Sequence, residues 1–284
     1  MYKKLSGGIS RLKKTIPNFA IGKSVCGQEI VCFKLGSGRP KIILQCAIHA
    51  REYITSFMAL RHISFLSDFR LKGTIYYIPC TNPDGVRLCL DGIKSTPKKY
   101  RNFLVKINKG TDFRLFKANI NGVDLNTNFD AKWAQGEQNI GRAAPANFVG
   151  RHPNSEPETQ ALIKFTNQIK PDLTLSYHSK GEVIYYGFDK KIDNLCRFLC
   201  RRQNRHSKEQ EYLDTIHKIT GYKLIKTKNS TGGYKDWCLF RKNIQSYTIE
   251  VGEDILSHPI PLEELNGIYD KNKYLPLALL GVLL

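Results

Sequence analysis

His49 and Glu52 stand three residues apart at the end of an apolar run. The run, Ile42 to Ile48 within KIILQCAIHAREYIT, reads as a buried strand, and a helix opens after His49-Ala50-Arg51-Glu52. An imidazole and a carboxylate at this spacing can close on one ion, and such nitrogen and oxygen donors suit Zn²⁺. A catalytic zinc needs a third protein ligand and an open position for water. The same pair also suits a surface ion pair on a first helical turn, so the metal reading depends on partners elsewhere.

Seven histidines are present. His62 falls inside a helical pattern, His206 and His217 in basic or helical surroundings, His152 in a loop, and His258 after a turn region. His178 closes an apolar strand, DLTLSYH, as His49 does, and is the candidate third ligand. Its ordinary alternative is a strand-end histidine bonded to backbone. Glu250 lies in Ile249-Glu250-Val251-Gly252, an acid inside an apolar strand. Such a carboxylate is costly unless paired or functional. Partial desolvation would raise its pKa toward the range of a general base, and a structural pair with lysine or arginine is the alternative.

The elements that position these residues follow from pattern. Residues 1 to about 20 predict a helix and a turn, and SVCGQEIVCFKLGSG predicts a hairpin around Gly27, then a Gly-rich turn before Pro40. Tyr53 to Leu66 has apolar groups at helical spacing, and GTIYYIP is a second buried strand ending in a turn at Asn82-Pro83-Asp84-Gly85. Residues 86–118 read as loop-rich and basic, Gly122 to Asp130 as a short strand end, and 131–152 as a long loop. Ser155-Glu156-Pro157-Glu158 opens a helix in which Ser155 is the expected cap. Strands at 172–178, 181–188 and 246–251 and helices at 191–219 and 262–284 complete the series. Alternating strands and helices predict a single α/β domain with a mixed, mostly parallel central sheet covered on both faces. The expected division is an N-terminal extension, 1–17, and a catalytic domain, 18–284. In such sheets a site lies beyond the carboxyl ends of the strands, where His49, Asn82, His178 and Glu250 fall.

Composition narrows the class. Hydrophobic and charged contents of 41% and 24% are ordinary for a globular protein, and no apolar run approaches the roughly 18 residues that span a bilayer. The eight cysteines lie largely in apolar runs without a C-x-x-C, which fits free thiols in a reducing cytoplasm. Cys196 and Cys200 could share a helical face. The N-terminus shows no secretory signal pattern, so the expectation is cytoplasmic, with export by another route left open. The net charge of +19 attracts polyanions. Basic stretches occur at Lys98 to Lys109 and at Arg197, Arg201, Arg202 and Arg205, but basic residues interleaved with stacking aromatics are not concentrated anywhere and no nucleic-acid module signature is visible, so no dedicated nucleic-acid site is expected.

The order and spacing of several motifs are similar to those of the zinc carboxypeptidases of the carboxypeptidase A type. The matching residues are His49-Ala50-Arg51-Glu52, Asn82-Pro83-Asp84-Gly85, Lys117 to Asn126 (KANINGVDLN) and Ser155 to Thr159 (SEPET). Ser176-Tyr177-His178-Ser179, Thr231-Gly232-Gly233 with Asp236-Trp237, and Glu250 complete them over roughly residues 18 to 270. The resemblance implies one Zn²⁺ held by His49, Glu52 and His178, and Glu250 as the base that activates a water there. It implies a substrate contact by Arg51, an oxyanion contact by Lys117 in place of the family's arginine, and a terminal-carboxylate contact by Asn126. Lysine is a point charge rather than a bidentate fork, so that replacement changes geometry as well as length.

Departures bear on substrate. Thr127 stands in place of the arginine that grips a free C-terminal carboxylate in the family. Lys228 stands about where digestive members carry a mobile tyrosine, and Lys235 near the residue that sets side-chain preference. The run Ser176 to Tyr185 resembles the bacterial branch that cleaves γ-D-glutamyl-diamino acid bonds in cell-wall peptides. Lys235 and Glu182 would then meet the extra carboxylate and ammonium of the diamino acid, although Glu182 also suits a structural strand position. The expectation is a zinc metallopeptidase acting on murein peptides at the γ-D-glutamyl-diamino acid bond. The alternatives are a carboxypeptidase trimming acidic or γ-linked glutamate tails, and a peptide-binding protein on the same scaffold without turnover.

Overall fold

The structure, a computed structural model, describes residues 1–188 and 205–283. The expected helix start at Lys191, the Cys196 and Cys200 pair, and Arg197, Arg201 and Arg202 lie outside the described residues.

The chain runs α1 (Tyr2–Leu12), β1 (Asn18–Lys23), β2 (Glu29–Cys46), α2 (Ile54–Ser67), β3 (Lys72–Ile78), α3 (Pro83–Asp91), α4 (Lys98–Asn108) and α5 (Pro157–Ile169). It continues through β4 (Leu173–Ser179), β5 (Val183–Tyr186), α6 (Arg205–Thr220), β6 (Lys223–Lys226), α7 (Tyr234–Trp237), β7 (Gln245–Val251), α8 (Leu265–Asn272) and α9 (Leu275–Leu283). The seven strands form one mixed sheet in the order β1-β2-β4-β7-β5-β6, with β3 paired to β2 off this path. Parallel pairs join β2 to β4, β4 to β7 and β5 to β6, whereas β1–β2 and β5–β7 are antiparallel. Together these features make a single α/β domain.

β2 changes direction within its length. Residues 33–37 pair down β3 from Tyr77 to Gly73, and residues 41–45 pair up it from Thr74 to Ile78. The bend lies in Gly36-Ser37-Gly38-Arg39-Pro40, so the Gly-rich turn expected before Pro40 is present inside one long strand. Gly36 has φ +74, and a Cβ there would collide with the Gly73 carbonyl, so only glycine fits. The hairpin expected from Ser24 instead has β1 as its first strand and residues 24–28 as its turn.

The sheet is buried on both faces, which explains the continuous apolar run before His49. Ile42 and Leu44 pack on one side with Ile54, Met58 and Ile63 of α2, and with Leu175 and Ile249. Ile43 points to the other side, with Leu162 and Phe165 of α5 and Trp237 of α7. Leu5 of α1 is fully buried with Ala47, Cys80 and Val86, so the N-terminal helix packs on the same body as the sheet.

Several local expectations are corrected. Asn82-Pro83-Asp84-Gly85 starts α3 rather than closing a turn: the Asn82 side chain accepts from Gly85 N at 3.1 Å, and Pro83 occupies the first helical position. The segment read as basic loop holds α3 and α4, because lysines and arginines line the outer faces while Leu88 and Leu104 face inward. Residues 125–127 form a short 3₁₀ turn, with no strand at 122–130. Glu156, not Ser155, occupies the cap of α5, and Ser155 Oγ donates to Glu156 at 2.7 Å. The C-terminal helix is two helices, broken at Lys273 and Tyr274 just before Pro276. No helix among the described residues is long and apolar enough to cross a membrane.

Candidate metal centre and its cavity

The parallel pairing of β2, β4 and β7 brings three chain segments together at the carboxyl ends of these strands. His49 follows β2 and precedes a 3₁₀ turn, Ala50–Glu52, that swings Glu52 back beside it. His178 is the next-to-last residue of β4, and its register partner on β7 is Glu250. Glu52 Oε1 lies 2.9 Å from His49 Nδ1, and Glu52 Oε2 lies 3.0 Å from His178 Nδ1. The two Nδ1 atoms are 3.0 Å apart, and donor atoms of the three residues all lie within 4.8 Å of one another.

This donor set fits a metal ion. His49 Nε2 lies 3.1 Å from Asp124 Oδ1, an arrangement that holds an N–H on Nε2 and leaves Nδ1 as the atom that would ligate a metal. The His178 Nδ1 faces it at 3.0 Å, a separation of two imidazole nitrogens that needs a proton or a cation between them. All three side chains are buried. One carboxylate and two imidazoles with an open face match the ligand chemistry of a catalytic zinc.

Electrostatics tie the surroundings to this centre. Burial opposes charge on His49, but the Glu52 and Asp124 carboxylates outweigh it and hold its pKa above the ordinary value. Burial would likewise raise Glu52 and Asp124, yet the adjoining histidines hold Glu52 well below the usual carboxylate range, and Lys117 and His49 do the same for Asp124. Glu250 behaves in the opposite way. Desolvation, with Glu52 reinforcing it, pushes its carboxyl up to about 7 against the pull of His178, Lys117 and Arg51.

Lys117 Nζ lies 2.9 Å from Asp124 Oδ2, and its carbonyl accepts from Ala50 N at 3.0 Å, which ties the Lys117 loop to the ligand turn. Asn126 donates its backbone N–H to Asp124 Oδ1, and its side-chain oxygen accepts from Tyr234 N, both at 3.1 Å. Thr127 turns its hydroxyl inward to the Asp124 carbonyl at 2.9 Å. Gly232 packs on that turn, where a Cβ would lie 2.7 Å from the Thr127 carbonyl oxygen, so the glycine pair permits the close approach. Arg51 is half-buried, with its Nε lacking a hydrogen-bond partner. His49, Lys117, Asp124, Asn126, Thr127 and Lys228 share the lining of a cavity of about 230 Å³.

Two expected substrate contacts lie elsewhere. Lys235 is buried, with Nζ 2.6 Å from Asp236 Oδ1 and 2.7 Å from the Gly187 carbonyl, and it does not line this cavity. Glu182 pairs with Lys271 at 2.5 Å, the structural alternative considered for it. His62 is buried in α2 against the Tyr77 hydroxyl at 2.8 Å, away from the centre. Asp124 is the residue that sequence reasoning passed over. Its signal was present, because Val123-Asp124-Leu125 places an acid between apolar residues as Ile249-Glu250-Val251 does.

The chain is 28% identical to gamma-D-glutamyl-L-diamino acid endopeptidase 1 of Lysinibacillus sphaericus over 95% of its own length and 69% of that protein's. It is 27% identical to murein peptide amidase A of Escherichia coli (strain K12), over 76% of this chain and 74% of that one. The fold is shared with bovine thrombin-activatable fibrinolysis inhibitor, solved in complex with a tick carboxypeptidase inhibitor, at a TM-score of 0.72 and 18% identity, over 99% of this chain and 94% of that chain. The family described as zinc carboxypeptidase matches residues 9–269, which contain every residue of the centre, and the chain belongs to that family of zinc-dependent metallopeptidases.

Proposed function

We propose that this metallopeptidase hydrolyses the bond between γ-D-glutamate and a diamino acid in murein peptides. The observation that carries the proposal is Thr127. Its hydroxyl is spent on the Asp124 and Phe148 carbonyls, so the turn presents no guanidinium fork to a free C-terminal carboxylate. A general C-terminal exopeptidase is poorly served by that arrangement. The names of the two bacterial relatives, a γ-D-glutamyl-diamino acid endopeptidase and a murein peptide amidase, support the same substrate class.

His49, Glu52 and His178 would hold the zinc, which when bound polarises the scissile carbonyl and acidifies water. Glu250, one strand over from His178, takes the proton of the attacking water and passes it to the leaving amine. Lys117, held by Asp124, stabilises negative charge that develops on the carbonyl oxygen. Asn126 has its side-chain oxygen occupied by Tyr234 N, which orients its amide nitrogen as a donor to a substrate carboxylate. Arg51 contacts the substrate from the ligand turn. Lys235, buried and held by Asp236 and the Gly187 carbonyl, takes a structural role rather than touching substrate. Cys32, Cys46, Cys80, Cys89 and Cys238 are free and buried, which supports a cytoplasmic, reducing setting and turnover of wall-derived peptides there.

The test is incubation of zinc-loaded protein with L-Ala-γ-D-Glu-diaminopimelate, following diaminopimelate by mass spectrometry, with Glu250→Gln as control. Release that is lost in the control is expected. Cleavage of glutamate-tailed peptides instead would move the assignment to an acidic-tail carboxypeptidase. Zinc binding without turnover of any peptide would identify a binding protein.

A further inference from the structure

We propose that two loops, residues 136–139 and 228–230, form a subsite for the far end of the leaving diamino acid. Lys228 takes its carboxylate and Glu137 its ammonium. This assignment rests on the murein-peptide function proposed above and specifies which diamino acid the site prefers.

The loops are joined: Glu137 N donates to the Asn229 carbonyl at 3.1 Å, and both loops line the cavity that His49 and Lys117 also line. The cavity wall holds two lysines, Lys117 and Lys228. Lys117 is already neutralised by Asp124 at 2.9 Å. Lys228 forms no ion pair among the described residues, and neither does Glu137. Asn139, on the same wall, has its side-chain Nδ2 buried with no acceptor. A buried donor of this kind costs free energy until an acceptor arrives. One cation, one anion and an unused amide donor therefore face a common space.

That set selects by charge. A glutamate leaving group would bring its side-chain carboxylate to Lys228 but also against Glu137. A lysine leaving group would bring its ammonium to Glu137 but also against Lys228, with no carboxylate to offset the repulsion. A diamino dicarboxylic acid carries both groups on one terminal carbon and satisfies both walls, its carboxylate also accepting from Asn139 Nδ2. Like-charge juxtaposition against the wrong residue adds to the discrimination.

The experiment compares kcat/KM for L-Ala-γ-D-Glu peptides ending in meso-diaminopimelate or in L-lysine, together with calorimetric binding of free diaminopimelate and lysine to zinc-loaded Glu250→Gln protein. Lys228 and Glu137 are exposed, so Lys228→Gln and Glu137→Gln should fold, which a melting curve checks. Lys228→Gln is expected to lower the diaminopimelate-over-lysine preference about tenfold in both assays, the scale of one charge-assisted hydrogen bond. Glu137→Gln is expected to weaken both ligands and to relieve the exclusion of glutamate. An unaltered preference in Lys228→Gln, with the wild type cleaving these peptides, would overturn the subsite alone. Wild-type protein that cleaves neither peptide, while cleaving glutamate-tailed ones, would overturn the murein function and the subsite with it.

Discussion

Asp124→Asn is the most informative single substitution. The wild-type carboxylate is fully buried and answers four groups: His49 Nε2 at 3.1 Å, Lys117 Nζ at 2.9 Å, and the backbone N–H groups of Asn126 at 3.1 Å and Asn147 at 3.2 Å. Asparagine keeps the volume but loses the charge and one acceptor oxygen. A carboxylate behind a ligating histidine fixes its tautomer and raises its basicity, and losing such a partner costs about 10–100-fold in metal affinity. Lys117 would also lose its counter-ion while most of its side chain is buried, which should cost on the order of 3 kcal/mol of stability. Zinc affinity is read by competition with a chelator, and stability by denaturant unfolding of the metal-free protein. Lys117→Met separates the two effects, because it removes the cation and leaves the histidine's carboxylate in place. Zinc affinity is expected to fall in Asp124→Asn and to hold within about threefold in Lys117→Met, since only the former removes the histidine's partner. Wild-type zinc affinity in Asp124→Asn would refute the argument that this carboxylate tunes the ligand.

Other outcomes follow from the same structure. Glu250→Gln should lower kcat/KM by about 10²–10⁴ with zinc still bound, and loss of zinc together with activity would count against the base assignment. Glu250 works as the carboxylate, so activity should fall as pH drops through its pKa. Bound Zn²⁺ pulls that pKa below about 7, and an acidic limb centred above 7 would contradict the assignment. Glu158 is buried beside Asn119 and Val25 N, and desolvation raises its carboxyl from 4.5 to about 7. A raised folded-state pKa stabilises the protein below the unfolded value and loses that contribution as pH rises through 7, roughly 3 kcal/mol in all. Glu158→Gln should therefore flatten the fall in stability between pH 5 and 8, and an identical slope in the variant would remove Glu158 as its source. Leu5→Ala should cost about 3 kcal/mol if α1 is part of the catalytic body, whereas an unchanged melting temperature would mark residues 1–17 as a separable extension.

Sequence by itself determined the parts whose information is local. The run Ile42 to Ile48 read as a buried strand, and the sheet buries its residues up to Cys46, where β2 ends, with Ile42 and Ile43 on opposite sides. His49, His178 and Glu250 were legible as polar residues at the ends of, or inside, apolar strands, because an imidazole or a carboxylate in such a position needs a partner or a task. Local signals failed where two structures share one code. Asn-Pro-Asp-Gly is good turn chemistry and equally good helix-start chemistry, and packing of Val86 and Leu88 decided for the helix. Lys98 to Asn108 looked like loop because its lysines and arginines hide the inward face that Leu104 makes.

Only the tertiary structure decided which charges meet. Lys235 and Lys228 are equivalent as residues in a sequence, seven positions apart beside the same glycine pair. The fold buries the first against Asp236 and the Gly187 carbonyl and leaves the second on the cavity wall. Asp124 is separated from His49 by 75 residues and from Lys117 by seven, yet it binds both. The strand register that sets His178 beside Glu250 joins residues 72 apart. Ion pairs and proton-transfer geometry fall off within a few ångströms, so they depend on how long-range strand pairing aligns the strand ends, which no local propensity encodes.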